Sequence, residues 1–171
     1  MDQAQLKELQ GPLKQQYRQD AAAARVTLSA TGDLGDGLTC SVETGRALVA
    51  AGLHPATGGD GLSACSGDML LQALVACAGV TLQSVATSLG IDLRGGRVRA
   101  EGDLDFRGTL GVDRAAPVGF AAIRLDFDLD TDAPADQLDT LLRLTERYCV
   151  VLQTVRSAPP VTAQITGGRP D

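Results

Sequence analysis

The chain has 171 residues, of which 44% are apolar and 21% are charged, which is the composition of one soluble globular domain. Its net charge is −6, and no run of lysine and arginine offers a phosphate-binding stripe, so the sequence argues against a nucleic-acid partner. The N-terminus lacks the basic-then-apolar layout of a signal peptide, and we therefore expect a cytoplasmic protein.

The N-terminal segment, residues 1–23, is predicted to be helical. Apolar side chains recur there at near-helical spacing, at Leu6, Leu9, Leu13 and Tyr17, while Pro12 marks a break or a second start. The main domain is expected over residues 24–166, and residues 167–171 are expected to form a flexible tail.

Strand signals open the main domain. Residues 26–30 are β-prone, and two further strands are predicted over residues 38–43 and 46–51. The glycines of residues 32–37 indicate a turn before the second strand. The glycine-rich segment 54–66 matches neither the P-loop nor the dinucleotide fingerprint, so we interpret it as a flexible connection that binds no cofactor.

A long apolar helix follows. The chain carries no charge from Met69 to Ile91, with Ser66 as the expected N-cap and Asp68 in the first turn, where a carboxylate complements the helix dipole. The run is long enough to span a bilayer, but its polar side chains and the lack of a basic flank argue against a membrane span. We expect a helix that is surrounded by protein, in the domain interior or at a subunit interface.

Two alternating strands and a second helix complete the pattern. Apolar and charged residues alternate over residues 98–106 and 123–129, as in an antiparallel sheet with one buried face, and residues 108–119 join them as a hairpin loop. A helix begins at Pro134, and a last strand is predicted over residues 161–165. The buried stripe of this helix is expected at Leu138, Leu141, Leu142, Thr145 and Cys149. The order predicts an α+β fold with an antiparallel sheet and segregated helices.

Four cysteines, Cys40, Cys65, Cys77 and Cys149, show no CxxC spacing, and His54 is the one histidine. This pattern argues against a disulfide scaffold and against a structural metal site. It leaves redox chemistry and plain burial as the alternatives. Cys40 and Cys65 are interpreted as small buried hydrophobes.

A reactive thiol needs help to ionise, because an ordinary cysteine is mostly protonated at neutral pH. Cys77 lies about three turns into its helix, too far for the helix dipole to act. An arginine held by a carboxylate is therefore the expected activator. Asp68 is a candidate for that carboxylate, although a first-turn acid is equally explained by the helix dipole.

Two segments carry a family resemblance. The OsmC/Ohr family comprises osmotically inducible protein C and the organic hydroperoxide resistance proteins, and its cysteine helix is similar to residues 67–77, GDMLLQALVAC. Its second cysteine motif resembles residues 146–149, ERYC, at about the same distance downstream, and the order of elements fits over residues 25–166. The resemblance implies an OsmC-like antiparallel sheet with a long central cysteine-bearing helix, in an intertwined homodimer.

The resemblance also implies a function. Cys77 would be the peroxidatic cysteine, which attacks an organic hydroperoxide and becomes a sulfenic acid. Cys149 would be the resolving cysteine, which condenses with that sulfenic acid to a disulfide. An external dithiol would reduce the disulfide, with a lipoyl protein as one candidate, and the reaction requires no cofactor.

Departures from the family pattern concern the surroundings of the thiols. Family members often carry proline and serine where this chain has Val150 and Leu152, and the nearest acid, Asp68, lies one position later than usual. The strand turn that usually supplies the activating arginine has none, so Arg46 is the first candidate. The alternatives are Arg25 and Arg147. Without an activating arginine, the same scaffold would be a non-catalytic dimer that binds a small apolar molecule, or a structural dimer with inert thiols.

Overall fold

The computed structural model describes residues 49–111 and 113–167 in full. It also gives the backbone of residues 32–34, 39–44 and 47–48. In the N-terminal segment it describes Asp2, which is not helical, and the helical positions 3–5, 8, 10, 11, 15 and 19. The strand predicted over residues 26–30 lies outside the described residues, as do Arg25, Arg46 and most of the helical segment predicted over residues 1–23.

A four-stranded sheet opens the fold. Its strands, in spatial order, are β1 (Gly32–Leu34), β2 (Thr39–Thr44), β3 (Ala47–Gly52) and β4 (Ala64–Cys65). The first three pair antiparallel, and β4 lies parallel to β3. The strands predicted over residues 38–43 and 46–51 are confirmed to within one residue. The predicted turn over residues 32–37 is wrong at its start, because residues 32–34 pair with residues 40–42, and this pairing overrides the turn preference of glycine.

The glycine-rich connection between β3 and β4 is ordered by local contacts. His54 caps a 3-10 turn at Pro55–Thr57, and its Nδ1 accepts the N–H of Ala56 at 3.0 Å. The His54 ring also stacks on Phe106, with ring centroids 5.0 Å apart. Gly58 ends the turn at a φ of 94°, a conformation that residues with a Cβ rarely adopt. This part of the segment, for which a flexible connection was expected, therefore has defined local structure.

The helix that bears Cys77 is α1 (Ser66–Leu89). Its N-cap is Cys65, one residue before the predicted Ser66, and Gly90 ends it at a φ of 72°. Among the described residues, α1 is the one helix with the length and hydropathy needed to cross a membrane, and an apolar helix inside a soluble domain meets the same criteria. One stripe of α1 is buried and consists of Leu74, Ala78, Leu82 and Ala86.

A long hairpin follows, formed by β5 (Gly95–Asp103) and β6 (Ala122–Asp130), which pair antiparallel along their full length. Both strands were predicted, and their alternation sends apolar side chains to one face. These inward side chains are Val98, Ala100, Ile123, Leu125 and Phe127. β5 ends three residues earlier than predicted, because Asp105 caps the short helix α2 (Phe106–Thr109) by accepting the N–H of Arg107 at 3.1 Å.

Two helices follow β6. They are α3 (Ala135–Tyr148) and α4 (Val150–Arg156), and Cys149 separates them with an extended ψ of 107°. The predicted stripe is confirmed at Leu141, Thr145 and Cys149, which are buried, whereas Leu142 is exposed. The strand predicted over residues 161–165 is wrong: residues 158–167 are exposed, and none of the described strands pairs with them.

The core lies between α1 and the elements that follow it, since α1 packs against β5, α3 and α4. One cluster is built around Leu74, Ala78, Cys149 and Leu152. The other is built around Leu82, Ala86, Ile91 and Leu141. The fold is therefore α+β with two small sheets, as its class was predicted, and its core brings the two cysteine segments side by side.

Candidate active site

Cys77 and Cys149 lie in one apolar cluster. Cys77 is half-buried in the middle of α1, and Cys149 is fully buried at the break between α3 and α4. Their side chains pack together in this cluster, although the residues are 72 positions apart in the chain (149 − 77). The packing of α4 on α1 produces this juxtaposition.

The break at Cys149 is fixed on both sides. The Cys149 N–H still donates to the Thr145 carbonyl at 2.9 Å, as in a continuing helix, and the Cys149 carbonyl accepts the N–H of Gln153 at 3.0 Å as the first bond of α4. On the surface, Arg156 pairs with Glu146 at 2.7 Å, which ties α4 back to α3. The first N–H groups of α4 have no intrahelical acceptor and point toward α1.

The surroundings of Cys77 favour its thiolate. Burial raises the pKa of the Cys77 thiol, but hydrogen bonds to the sulfur outweigh this cost and hold the pKa below its ordinary value. The largest of these comes from the backbone N–H of Val151, followed by the Cys149 thiol. The Val150 N–H and the Thr81 hydroxyl add smaller contributions.

The pKa of Cys149 is shifted in the opposite direction. Burial raises the pKa of the Cys149 thiol, and the neighbouring Cys77 raises it further, because a thiolate there accepts the Cys149 proton in a hydrogen bond and repels a second negative charge. Cys77 is therefore the thiol that ionises first, while Cys149 keeps its proton.

The other predicted site residues lie apart from this pair within one chain. Asp68 is exposed in the first turn of α1, nine residues before Cys77, which corresponds to about 14 Å along the axis and to the opposite face of the helix. Arg147 is exposed, with its guanidinium carbon 5.6 Å from the centroid of the Tyr148 ring. Arg147 lines an open surface groove together with Val150 at the start of α4. Arg46 and Arg25 lie outside the described residues.

Sequence reasoning missed the hydrogen-bond donors around Cys77. Every residue except proline carries a backbone N–H, so nothing in the sequence distinguishes Val150 and Val151 as donors. The one signal for Thr81 is its spacing of four residues from Cys77, which puts both side chains on the same face of α1.

Of the other two cysteines, Cys40 lies in β2, and Cys65 is half-buried at the N-cap of α1. No group of three or more histidine, cysteine or acidic side chains that could hold a metal ion occurs in the part of the chain that the structure describes.

Comparison with known proteins identifies the family. The model of the OsmC-like protein family matches residues 58–164, which span both cysteine segments and most of the chain. The chain belongs to the OsmC-like family. A comparison with curated protein sequences gives no match.

Solved structures share the OsmC-like fold at low sequence identity. An OsmC-like protein from Mycoplasma pneumoniae is 14% identical with a TM-score of 0.65, covering 78% of this chain and 89% of its own. An organic hydroperoxide resistance protein OsmC from Legionella pneumophila is 18% identical with a TM-score of 0.61, covering 77% and 90%. An organic hydroperoxide resistance protein from Elizabethkingia anophelis is 15% identical with a TM-score of 0.58, covering 78% and 91%. These likenesses establish the fold of the domain.

Proposed function

We propose that this OsmC-like domain is a thiol-dependent peroxidase that reduces organic hydroperoxides, with Cys77 as the peroxidatic and Cys149 as the resolving cysteine. The observation that carries the proposal is the contact between two thiols whose pKa values are shifted in opposite directions. The chemistry needs this asymmetry, because one thiol must ionise in order to attack while the other keeps its proton for the next step.

The two thiols perform the reaction in sequence. The Cys77 thiolate attacks the peroxide, so that an S–O bond forms and the O–O bond breaks, and the departing alkoxide takes up a proton and leaves as an alcohol. The Cys149 sulfur then attacks the resulting sulfenic acid, so that the S–S bond forms and the hydroxyl leaves as water with the thiol proton. A dithiol restores both thiols by exchange and becomes a disulfide itself.

The apolar surroundings of Cys77 support an organic rather than an inorganic peroxide as substrate. The side chains packed against its cluster include Val98, Ala100, Ile123, Leu125, Phe127 and Val151. Burial of an alkyl chain is favourable by about 25 cal/mol per Å², a gain that hydrogen peroxide does not have. Alkyl hydroperoxides are therefore the proposed substrate class.

The active form is proposed to be a cytoplasmic homodimer. Opposite its buried stripe, α1 carries an exposed apolar face, with Val80 at 72% exposure beside the exposed Ala73 and Ala76. A second copy covering this face would surround α1 on all sides. Arg46 is the proposed activating arginine and Asp68 its orienting acid, with Arg25 and Arg147 as alternatives and a dithiol, such as that of a lipoyl protein, as reductant.

Substitution of each cysteine tests the proposal. We expect Cys77→Ser to abolish consumption of tert-butyl hydroperoxide in the presence of dithiothreitol, because the nucleophile is gone. Without dithiothreitol, Cys149→Ser should consume one equivalent and accumulate a Cys77 sulfenic acid, detected by dimedone labelling and mass spectrometry. Cys65→Ser is the matched control, since Cys65 borders the same helix, and it should keep full turnover. Full activity of Cys77→Ser would refute the peroxidase.

The alternative is a non-catalytic dimer that binds a small apolar molecule. It is favoured by one observation: among the described residues, no guanidinium is a hydrogen-bond partner of the Cys77 thiol. In that case the wild-type protein would consume no hydroperoxide with any dithiol, and Cys77→Ser would leave binding of an apolar fluorescent probe unchanged.

A further inference from the structure

Thr81 lies one helical turn after Cys77 on α1, and side chains on a helix lean toward its N-terminus, so the Thr81 side chain leans back over Cys77. Its hydroxyl is part-buried and donates to the Cys77 carbonyl at 2.7 Å. Because the two residues lie on the same face of α1, the hydroxyl oxygen lies beside the Cys77 side chain, and the Cys77 sulfur is a second candidate acceptor for its proton.

A hydroxyl has one proton, so the Thr81 hydroxyl can donate either to the Cys77 carbonyl or to the Cys77 sulfur, but not to both. A neutral thiol is a weak acceptor, and the carbonyl wins while Cys77 is protonated. A thiolate is a charged acceptor and forms the stronger bond once Cys77 ionises. When the hydroxyl turns to the sulfur, the Cys77 carbonyl still accepts a hydrogen bond, because the backbone N–H of Thr81 is its ordinary helical partner.

We propose that the Thr81 hydroxyl is a proton switch for the reacting cysteine: it rotates from the Cys77 carbonyl to the Cys77 sulfur when the thiol ionises, and so holds and stabilises the thiolate. The inference deepens the proposed function and rests on Cys77 as its nucleophile. In the balance that sets the pKa of Cys77, burial raises the value and the Thr81 hydroxyl is one of the hydrogen-bond donors that lower it.

Among the described residues, the groups that lower the pKa of the Cys77 thiol are uncharged hydrogen-bond donors. β5 and β6 present apolar side chains to the cluster around Cys77. On α4 the first turn offers backbone N–H groups, and within the described residues Cys149 is the titratable group that acts on Cys77. Asp68 and Arg147, on α1 and α3, are exposed, and neither is among the groups that shift the pKa of Cys77.

The chain contains a matched control for the geometry. Thr87 lies on the same helix and donates in the same way to the carbonyl four residues back, that of Gln83, at 2.8 Å. No cysteine stands at position 83, so Thr87 makes the same backbone contact without a sulfur beside it. A purely structural effect of losing such a bond would appear equally in both threonines.

The test compares Thr81→Val, Thr81→Ser and Thr87→Val with the wild type. The rate of Cys77 alkylation by iodoacetamide is followed against pH by peptide mass spectrometry, which reports the thiolate independently of any turnover. We expect Thr81→Val to alkylate about threefold more slowly at neutral pH, the factor for half a pKa unit, and to reach the wild-type rate at high pH. Thr81→Ser should restore the wild-type profile, and Thr87→Val should not move it.

The outcomes separate this inference from the proposed function. A Thr81→Val profile that coincides with the wild type, or a Thr87→Val profile that shifts as far, overturns the switch even if Cys77→Ser abolishes turnover. A shift confined to Thr81→Val and rescued by serine supports the switch even if the protein consumes no hydroperoxide, since alkylation requires only the thiolate.

Discussion

At the scale of single residues, Val150 differs from the family pattern in a way that changes the chemistry around Cys77, because it supplies a backbone N–H. It stands directly after Cys149, where family members often carry proline, and its backbone N–H has no backbone acceptor within the described residues. Burial raises the pKa of Cys77, and several hydrogen-bond donors lower it. The Val151 N–H is the strongest of these donors, and the Val150 N–H is a weaker one. A proline could not donate there.

Replacement of Val150 by proline should therefore move reactivity and stability in opposite directions. Cys149 has φ −72° and ψ 107°, the conformation that a following proline requires, and proline is favoured at the first position of a helix. We expect Val150→Pro to raise the free energy of unfolding by about 0.4–1 kcal/mol, measured by urea denaturation. Its Cys77 should be alkylated about three- to tenfold more slowly at neutral pH, because the thiolate loses a donor.

Val150→Ala is the control for this prediction, since it keeps the N–H and removes a side chain that is 70% exposed. Both quantities should stay near those of the wild type. An unchanged alkylation rate in Val150→Pro would mean that the Val150 N–H contributes nothing to thiolate stability.

At the scale of elements, the sequence predicted what local pattern decides. The alternation over residues 98–106 and 123–129 gave the two long strands, and the uncharged run gave α1. The predicted turn at residues 32–34 and the predicted strand over residues 161–165 were wrong for the same reason. A short strand is defined by the strand beside it, and the local sequence does not show which strand that is. The break at Cys149 was missed because the apolar periodicity of α3 continues through it.

β5 offers a test of packing that the sequence alone could not suggest. A Cβ added at Gly102 would lie 2.5 Å from ring carbons of Phe120, whereas a Cβ added at Gly95 in the same strand would meet nothing within 4 Å. We expect Gly102→Ala to destabilise the domain by about 1–3 kcal/mol, because the half-buried Phe120 ring must move to make room for the methyl group. Gly95→Ala should be neutral or slightly stabilising. Equal urea midpoints for the two variants would contradict this account.

At the scale of the whole molecule, the function depends on contacts that sequence spacing does not encode. The pairing of Cys77 with Cys149 was implied by the family resemblance, while their separation in the chain gave no physical ground for it. The structure supplies that ground in the packing of α4 on α1. Arg46 and Asp68 remain predictions, and an intertwined dimer is the arrangement that would bring further groups to the cysteine pair.

The exposed face of α1 allows that dimer to be tested. Ala73, Ala76 and Val80 lie opposite the buried stripe of the helix, and a single chain leaves them in water. If a second copy covers this face, Val80→Glu places an unpaired carboxylate in an apolar interface, which costs about 3 kcal/mol or more and raises the dissociation constant at least about a hundredfold. Val118→Glu, at an apolar residue 65% exposed in the loop before β6, is the control.

In sedimentation velocity at micromolar concentration, the wild type and Val118→Glu should run as dimers and Val80→Glu as a monomer. A wild-type monomer, or a Val80→Glu protein that sediments as a tight dimer, would rule out assembly through α1.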